Sequence, residues 1–333
     1  MKKFQVVGIG NAMVDILARA DDAFLAQAGI EKGIMQLIDM ERAVALYDQI
    51  GPAKEVSGGS AANTIAGIAH LGGRTAYVGK VKDDQLGAIF AHDLRAQGAV
   101  YETTFAPKDA VDETGRCTIL VTPDGERSMN TYLGVTEFLS PDDIDEVQMA
   151  EADWIYLEGY RFDGPDSHAA FSKAITACKT AGGRVSLTLS DPFCVSRHRD
   201  AFREMIQADV DLLFCNRAEM LSMYETEDFD AALAQAAAEV AIVACTDAEN
   251  GAHILAGGDR WHALAENVTI VDATGAGDLF AGAFLWALNE GYSLADCGRI
   301  GNIAAAEIIS HIGARPEADL TALIAQAGLT PAS

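Results

Sequence analysis

The chain has no Cys-x-x-Cys pair and no apolar stretch long enough to span a bilayer, and it carries only 24 lysines and arginines against 49 aspartates and glutamates. The resulting charge of −25 excludes nucleic acid and anionic membrane surface as expected partners, since neither a phosphate backbone nor an acidic lipid attracts such a surface. Any phosphate-bearing substrate must then be held by local donors or a metal, against the overall field. Cys117, Cys178, Cys194, Cys215, Cys245 and Cys297 stand singly among apolar or helical neighbours. They read as buried thiols of a reducing cytoplasm rather than a disulfide framework. The opening stretch MKKFQVVGIGN has too short an apolar run for a signal peptide, so a soluble, cytoplasmic protein is expected. None of the seven histidines forms a metal-ligand pair at helical spacing, and no Ser/His/Asp set stands out.

What is present suits a large folded core: 333 residues, half of them hydrophobic, with 31 glycines for tight connections. FQVVGIG, TAYVGKV, WIYLEGY, RVSLTLS, DLLFCN and AIVACT are short, nearly continuous apolar runs alternating with helical patterns. Such runs suit strands covered on both faces, which predicts an α/β protein with a doubly wound, mostly parallel sheet. Residues 12–40 and 100–135 break the rhythm with alternating stretches and turn signals, including Pro123-Asp-Gly-Glu126 as a hairpin turn. They are expected to form a small β lid inserted in a single domain covering residues 1–333, with no linker or internal repeat.

VDATGAGDLFAGAFLWAL places Gly275, Ala276, Gly277 and Asp278 where an apolar helical pattern starts. A helix N-terminus offers free N–H groups and the positive end of its dipole, and glycine lets a phosphate come close to the backbone. Asp278 in that first turn has the chemistry of a base accepting a proton from an attacking hydroxyl. A Gly-rich turn with a capping aspartate explains the same residues, and this stretch alone does not choose. VSGGSAANT is a second Gly-rich helix start, with Gly58, Gly59 and Ser60 followed one turn on by Asn63. Asp15 follows the first strand, in the crevice where such sheets bind ligands, and a carboxylate there suits vicinal hydroxyls. GIGNAM is not a dinucleotide fingerprint, because Met13 stands where the third glycine belongs; a nicotinamide oxidoreductase is disfavoured. Asn216 and Glu219 form an N-x-x-E at a strand end, read equally well as a Mg²⁺-ordering pair or a helix cap. Tyr160 and Phe162 are by default core aromatics, and Arg127 by default a solvated charge.

Together these motifs resemble the ribokinase-like (PfkB) family of carbohydrate and nucleoside kinases over nearly the whole chain. Asp272 to Asp278 resembles its D-T-x-G-A-G-D signature, with Ala273 in place of Thr, and the other motifs fall in the family's order. The resemblance implies Asp278 as base, with Gly275, Ala276 and Gly277 as anion hole. It implies Asp15, Gly58, Gly59 and Asn63 as contacts to sugar hydroxyls, and Asn216 and Glu219 as an indirect Mg²⁺ and phosphate site. Asp272 and Thr274 resemble part of a monovalent-cation loop, possible for K⁺, whose other wall lies at Ser310–Ala314. Asn216, Thr246, Gly251 and Asn302 fall at ATP-binding positions, although Ala248 replaces a glycine usual in that strand-end turn.

The interval between Asp15 and Gly59, the segment IEKGIMQLID and the stretch TGRCTILVTPDGERSMNTYLG look most like adenosine kinases. This implies Arg127 near the transferred phosphate, and Gln36 and Tyr160 enclosing the base, Tyr160 by stacking. Glu158 instead sits where ribokinases carry a glutamate. The expected activity is ATP- and Mg²⁺-dependent phosphorylation of the adenosine 5′-hydroxyl by a monomer or homodimer. A ribose or fructose kinase, and a non-catalytic nucleoside- or sugar-binding regulator on the same fold, are the rival readings.

Overall fold

Fourteen strands are laid down in two sheets by the computed structural model, which describes residues 2–332. In chain order they are β1 (Phe4–Ile9), β2 (Met13–Arg19), β3 (Met35–Leu37), β4 (Ala53–Gly58), β5 (Thr75–Val78), β6 (Val100–Tyr101), β7 (Gly115–Val121) and β8 (Arg127–Tyr132). There follow β9 (Ala152–Glu158), β10 (Arg184–Thr188), β11 (Leu212–Asn216), β12 (Ile242–Thr246), β13 (Ala252–Ala256) and β14 (Asp259–Ala263). The large sheet has the order β14-β13-β12-β11-β10-β9-β1-β5-β6, parallel from β12 to β6 with β13 and β14 antiparallel at one edge. The six apolar runs picked out in the sequence are β1, β5, β9, β10, β11 and β12, so the doubly wound α/β architecture is as expected.

These strands read as continuous runs because both faces are covered. Ile155, Leu187, Leu213 and Val243 point into one core, and Trp154, Tyr156, Leu212 and Phe214 into the other. Strand order reverses at β1, whose neighbours are β5 and β9, and ligands bind in the crevice beyond strand ends at such a switch point. All six cysteines are buried and free. No helix among the described residues is long and apolar enough to cross a membrane.

The smaller sheet has the order β3-β8-β7-β2-β4 and leaves the large sheet immediately after β1, since only residues 10–12 separate β1 from β2. Its boundaries differ from the segments expected. β4 comes from residues 53–58, outside both, and β6 at 100–101 pairs with β5 in the large sheet. β4 runs from exposed at Ala53 to buried at Gly58 and has little strand character of its own; antiparallel pairing with β2 makes it a strand. The hairpin of β7 and β8 turns at Pro123–Glu126 as expected, with Thr122 N donating to the Glu126 carbonyl at 3.0 Å and Gly125 left-handed. The β13–β14 hairpin was not anticipated, although Gly257-Gly258 is a two-residue turn signal of the usual kind.

Candidate active site

Asp278 stands in the first turn of the helix Ala276–Asn289, and Ser60 and Asn63 in the first turn of the helix Ser60–His70. These helices approach closely because glycine faces the partner on each. A Cβ on Gly67 meets Leu279 Cδ1 at 2.6 Å, and one on Gly282 meets the Thr64 carbonyl oxygen at 2.7 Å. The approach lets Ser60 Oγ donate to Asp278 Oδ1 at 2.6 Å and Asn63 Nδ2 donate to Asp278 Oδ2 at 2.8 Å. Two motifs far apart in the chain thus meet on one carboxylate. Burial raises the Asp278 pKa above the usual range, opposed by these two hydrogen bonds and by the Arg315 charge.

The turn ahead of Asp278 is open to an anion. Gly275 is left-handed (φ 82°), and a Cβ on it lies 2.8 Å from the Ala314 Cβ, so glycine is required there. Gly277 faces open space. The N–H groups of Gly275, Gly277 and Asp278 meet no acceptor among the described residues, which leaves donors and the helix dipole directed outward. Asp272 organises the turn: Oδ1 accepts from Thr274 N and Oδ2 from Gly313 N, both at 2.8 Å. The stretch from Ile309 to Ala314 therefore packs against this turn. Asp272 also pairs with Arg127 of β8, whose Nη1 donates to Thr274 Oγ1 at 2.8 Å. Arg127 is thus no solvated charge; it ties the smaller sheet to the anion-binding turn.

Asp15 on β2 is buried and accepts no hydrogen bond from any described residue. Burial, with Asp278 and Asp272 nearby, raises its pKa to about 7 despite Arg315 and Arg127. A Cβ on Gly58 lies 2.2 Å from the Asp15 carboxyl carbon, and one on Gly59 (φ 97°) lies 2.2 Å from the Asn11 carbonyl oxygen. The GG pair therefore keeps this wall thin. Glu158, buried at the end of β9, accepts from Asn11 N at 3.2 Å and Ala61 N at 2.8 Å. Burial raises its pKa to about 7 against those two donors, and both oxygens are already used to join the β1 and β9 ends to the helix Ser60–His70.

Strand alternation sorts the rest of the smaller sheet. Asp15 pairs in register with Cys117, and Cys117 with Thr131, so these share one face. Met13, Leu17, Cys117 and Ile119 form an apolar cluster on that face, with Val56 and Met129 packed against it. Gln36 pairs with Asn130 and Asn130 with Thr118, the opposite face, where Gln36 Nε2 donates to Asn130 Oδ1 at 2.6 Å. Gln36 is therefore not a wall of the Asp15 pocket, contrary to expectation. A side-chain period of two puts it on the far side, and the sequence does not show which alternate set faces inward. The stacking role expected of Tyr160 is not met either. Its ring packs against the core and its hydroxyl donates to the Ser190 carbonyl at 3.3 Å. Phe162 is a core residue, stacked on Phe202 with centroids 4.1 Å apart.

Asn216 and Glu219 form a reciprocal capping box on the helix Arg217–Tyr224. Asn216 Oδ1 accepts from Glu219 N at 2.8 Å, and Glu219 Oε2 accepts from Asn216 N at 2.9 Å. The cap reading is met in full. Glu219 nonetheless has its pKa raised to about 7 by burial, with Asp191 and Asp278 in its surroundings, so it also belongs to the acidic side of the crevice. Asn302 Nδ2 donates to the carbonyls of Ala263 and Leu264 at 3.0 and 2.9 Å, fastening the chain after β14. Gly251 (φ 92°) is needed because a Cβ there lies 2.0 Å from the Ala263 carbonyl oxygen, and Thr246 ends β12 beside it. Ala248 adopts a left-handed φ of 47°.

The sequence reading missed Arg315. It lies beyond Ala314, donates to Asn63 Oδ1 through Nη1 and to Ser57 Oγ through Nη2 at 3.1 Å, and has Asp15 and Asp278 in its field. A single arginine before a proline carries no motif signal. The buried Arg161, which donates to Asn11 Oδ1 at 3.0 Å and to the Thr136 carbonyl at 2.6 Å, was missed because it too belongs to no motif.

The whole arrangement has counterparts in known proteins. A family model described as pfkB family carbohydrate kinase matches residues 34–320. The solved structure of a probable sugar kinase from Rhizobium etli CFN 42 is similar over 99% of this chain and 100% of its own, with 48% identity and a TM-score of 0.94. That of an adenosine kinase from Sinorhizobium meliloti is similar over 98% of this chain and 99% of its own, with 47% identity and a TM-score of 0.92. Among curated proteins, a fructokinase from Escherichia coli is 28% identical over 238 residues, covering 70% of this chain and 77% of the relative.

Proposed function

The chain belongs to the pfkB family of carbohydrate kinases, and from that premise we propose that it phosphorylates the 5′-hydroxyl of adenosine to give AMP, with ATP as donor. Membership makes it a phosphotransferase with an alcohol group as acceptor; the choice of acceptor rests on the pocket. The observation that carries it is the face of the smaller sheet around Asp15. There a buried carboxylate without a protein donor stands beside Met13, Leu17, Cys117 and Ile119. Asp15 suits ribose hydroxyls, and the apolar surface suits a purine, whereas a free sugar needs polar partners on every side.

Asp278 accepts the proton of the attacking hydroxyl while the amides of Gly275, Gly277 and Asp278 receive the negative phosphoryl oxygens. Ser60 and Asn63 hold the Asp278 carboxylate in one orientation. Arg127, reaching from β8 to Thr274, seats the smaller sheet over the turn and helps exclude water from the transfer. When bound with ATP, Mg²⁺ neutralises charge on the phosphates. In this reading Glu219 and Asn216 would order its waters, beyond the helix cap they already form.

ADP release with adenosine, inosine, ribose and fructose tests the reading. Adenosine turnover, with kcat lowered about 10²- to 10⁴-fold in Asp278→Asn, is expected. Turnover of a sugar but not of adenosine sinks the acceptor assignment alone. Full activity of Asp278→Asn sinks the mechanism.

A further inference from the structure

Resting on the reading of Asp278 as base, we propose that Arg315 is a positioning residue that sets the orientation of Asn63 and thereby the donor Asn63 presents to Asp278. A guanidinium has five N–H donors and no acceptor, while an asparagine amide offers an oxygen on one side and an NH₂ on the other. The contact of Arg315 Nη1 with Asn63 Oδ1 therefore admits one amide orientation, and that orientation turns Nδ2 toward Asp278 Oδ2 at 2.8 Å. The flipped amide places an oxygen against a carboxylate and an NH₂ against a guanidinium, which is unfavourable at both ends. A freely flipping Asn63 leaves Asp278 with Ser60 as its remaining side-chain donor.

Arg315 is itself held in place. Nη2 donates to Ser57 Oγ at 3.1 Å and Nη1 reaches the Ala314 carbonyl at 3.3 Å, so the guanidinium bridges β4 and the loop that lines the anion-binding turn. The groups around Asp278 make its charge matter. The carboxylates of Asp15, Glu158 and Glu219 and the phenols of Tyr156 and Tyr160 all lie within the field of Asp278. Arg315 is the cation acting on Asp278 in that set, and Asp93 also acts on Arg315. It favours the ionised, proton-accepting form of the base and aims one of its two hydrogen bonds. Three carboxylates already surround the guanidinium, so its charge is balanced within the protein and does not call for an anionic acceptor.

The test is the pH profile of adenosine phosphorylation for wild type, Arg315→Gln, Arg315→Lys, Asp278→Asn and the double variant Asp278→Asn/Arg315→Gln. Circular dichroism and thermal unfolding of each protein establish that folded forms are compared. Gln donates or accepts, so Arg315→Gln is expected to lower kcat about tenfold or more. It should also move the acid limb of kcat/KM upward by about one pH unit, with the acceptor KM little changed. Lysine also only donates and keeps the charge, so Arg315→Lys should restore most of kcat and the wild-type limb. Because Arg315 acts through Asp278, its replacement in the Asp278→Asn background should add little. Asn63→Asp, which keeps the acceptor for Arg315 and loses the donor to Asp278, should reproduce the upward limb shift even if Arg315→Gln is unstable. A wild-type limb and kcat in folded Arg315→Gln or in Asn63→Asp overturns the proposal. So does a loss confined to KM, or a double variant as impaired as the product of the single ones. A fully active Asp278→Asn removes the base reading and the proposal with it. An impaired Asp278→Asn beside a normal Arg315→Gln removes the proposal alone.

Discussion

Arg127 of the smaller sheet donates to the Thr274 hydroxyl at 2.8 Å, and its other terminal nitrogen pairs with Asp272. The contact joins a hairpin edge to the turn that precedes Asp278. Its members are nearly or fully shielded from solvent, with side-chain exposures of 9% for Arg127 and 0% for Asp272.

Removing one partner of such a pair leaves the other charge buried and unpaired. Arg127→Met is therefore expected to lower unfolding stability by about 3 kcal/mol in urea titration. It should also loosen the smaller sheet, read as faster proteolytic cleavage between residues 12 and 60 and a higher ATP KM. Unchanged stability and cleavage show that the pair does not hold the sheet down.

Asp15 gives a pH dependence with a definite sign. Its folded pKa of about 7 lies above the ordinary aspartate value of 3.8 that holds in the unfolded chain, so the folded state binds the proton more tightly. Its contribution to stability is fully present below the unfolded value and is lost as pH rises through about 7. Thermal unfolding of the ligand-free protein at pH 5, 6, 7 and 8 should show wild type losing ground to Asp15→Asn across that series, because asparagine has nothing to ionise. Parallel curves for the two proteins contradict a buried, unpartnered Asp15.

Gly58 separates a steric role from a folding one. Its backbone is not left-handed, so alanine is tolerated conformationally, but the added Cβ falls 2.2 Å from the Asp15 carboxyl carbon. The carboxylate must shift. Gly58→Ala is expected to unfold near the wild-type temperature while the acceptor KM rises about tenfold, the loss of one good hydrogen bond to a charged group. A wild-type KM removes Asp15 from acceptor recognition.

Met129 lies at the apolar face beside Cys117 and Ile119. Met129→Asn puts an amide against a purine and should raise the adenosine KM by about tenfold or more, on the scale of one buried apolar side chain. Any turnover of ribose or fructose should be left as it was. Equal effects on nucleoside and sugar argue for a sheet distortion instead.

Much of this was legible beforehand, and the reason differs from part to part. The parallel strands announce themselves because a sheet covered on both faces needs unbroken apolar runs, and WIYLEGY or DLLFCN has few other uses. Gly275, Gly58 and Gly59 are readable because a left-handed turn or a thin wall tolerates little else. β4 was not readable, since its strand character comes from β2. The choice between Gln36 and Met129 was not readable either, because alternation fixes two faces without saying which looks inward.

By itself, then, the chain's order of residues determined the parallel α/β core, the two Gly-rich helix starts and the acidic residues beside them, because each depends on local chemistry and spacing. Tertiary structure alone decided that Asn63 and Ser60 reach Asp278, that Arg127 closes on Thr274, and that Arg315 orients the amide between. Those contacts join positions 147 to 252 residues apart. The two on Asp278 exist because Gly67 and Gly282 let two helices approach until short side chains can touch, a distance that no local pattern encodes.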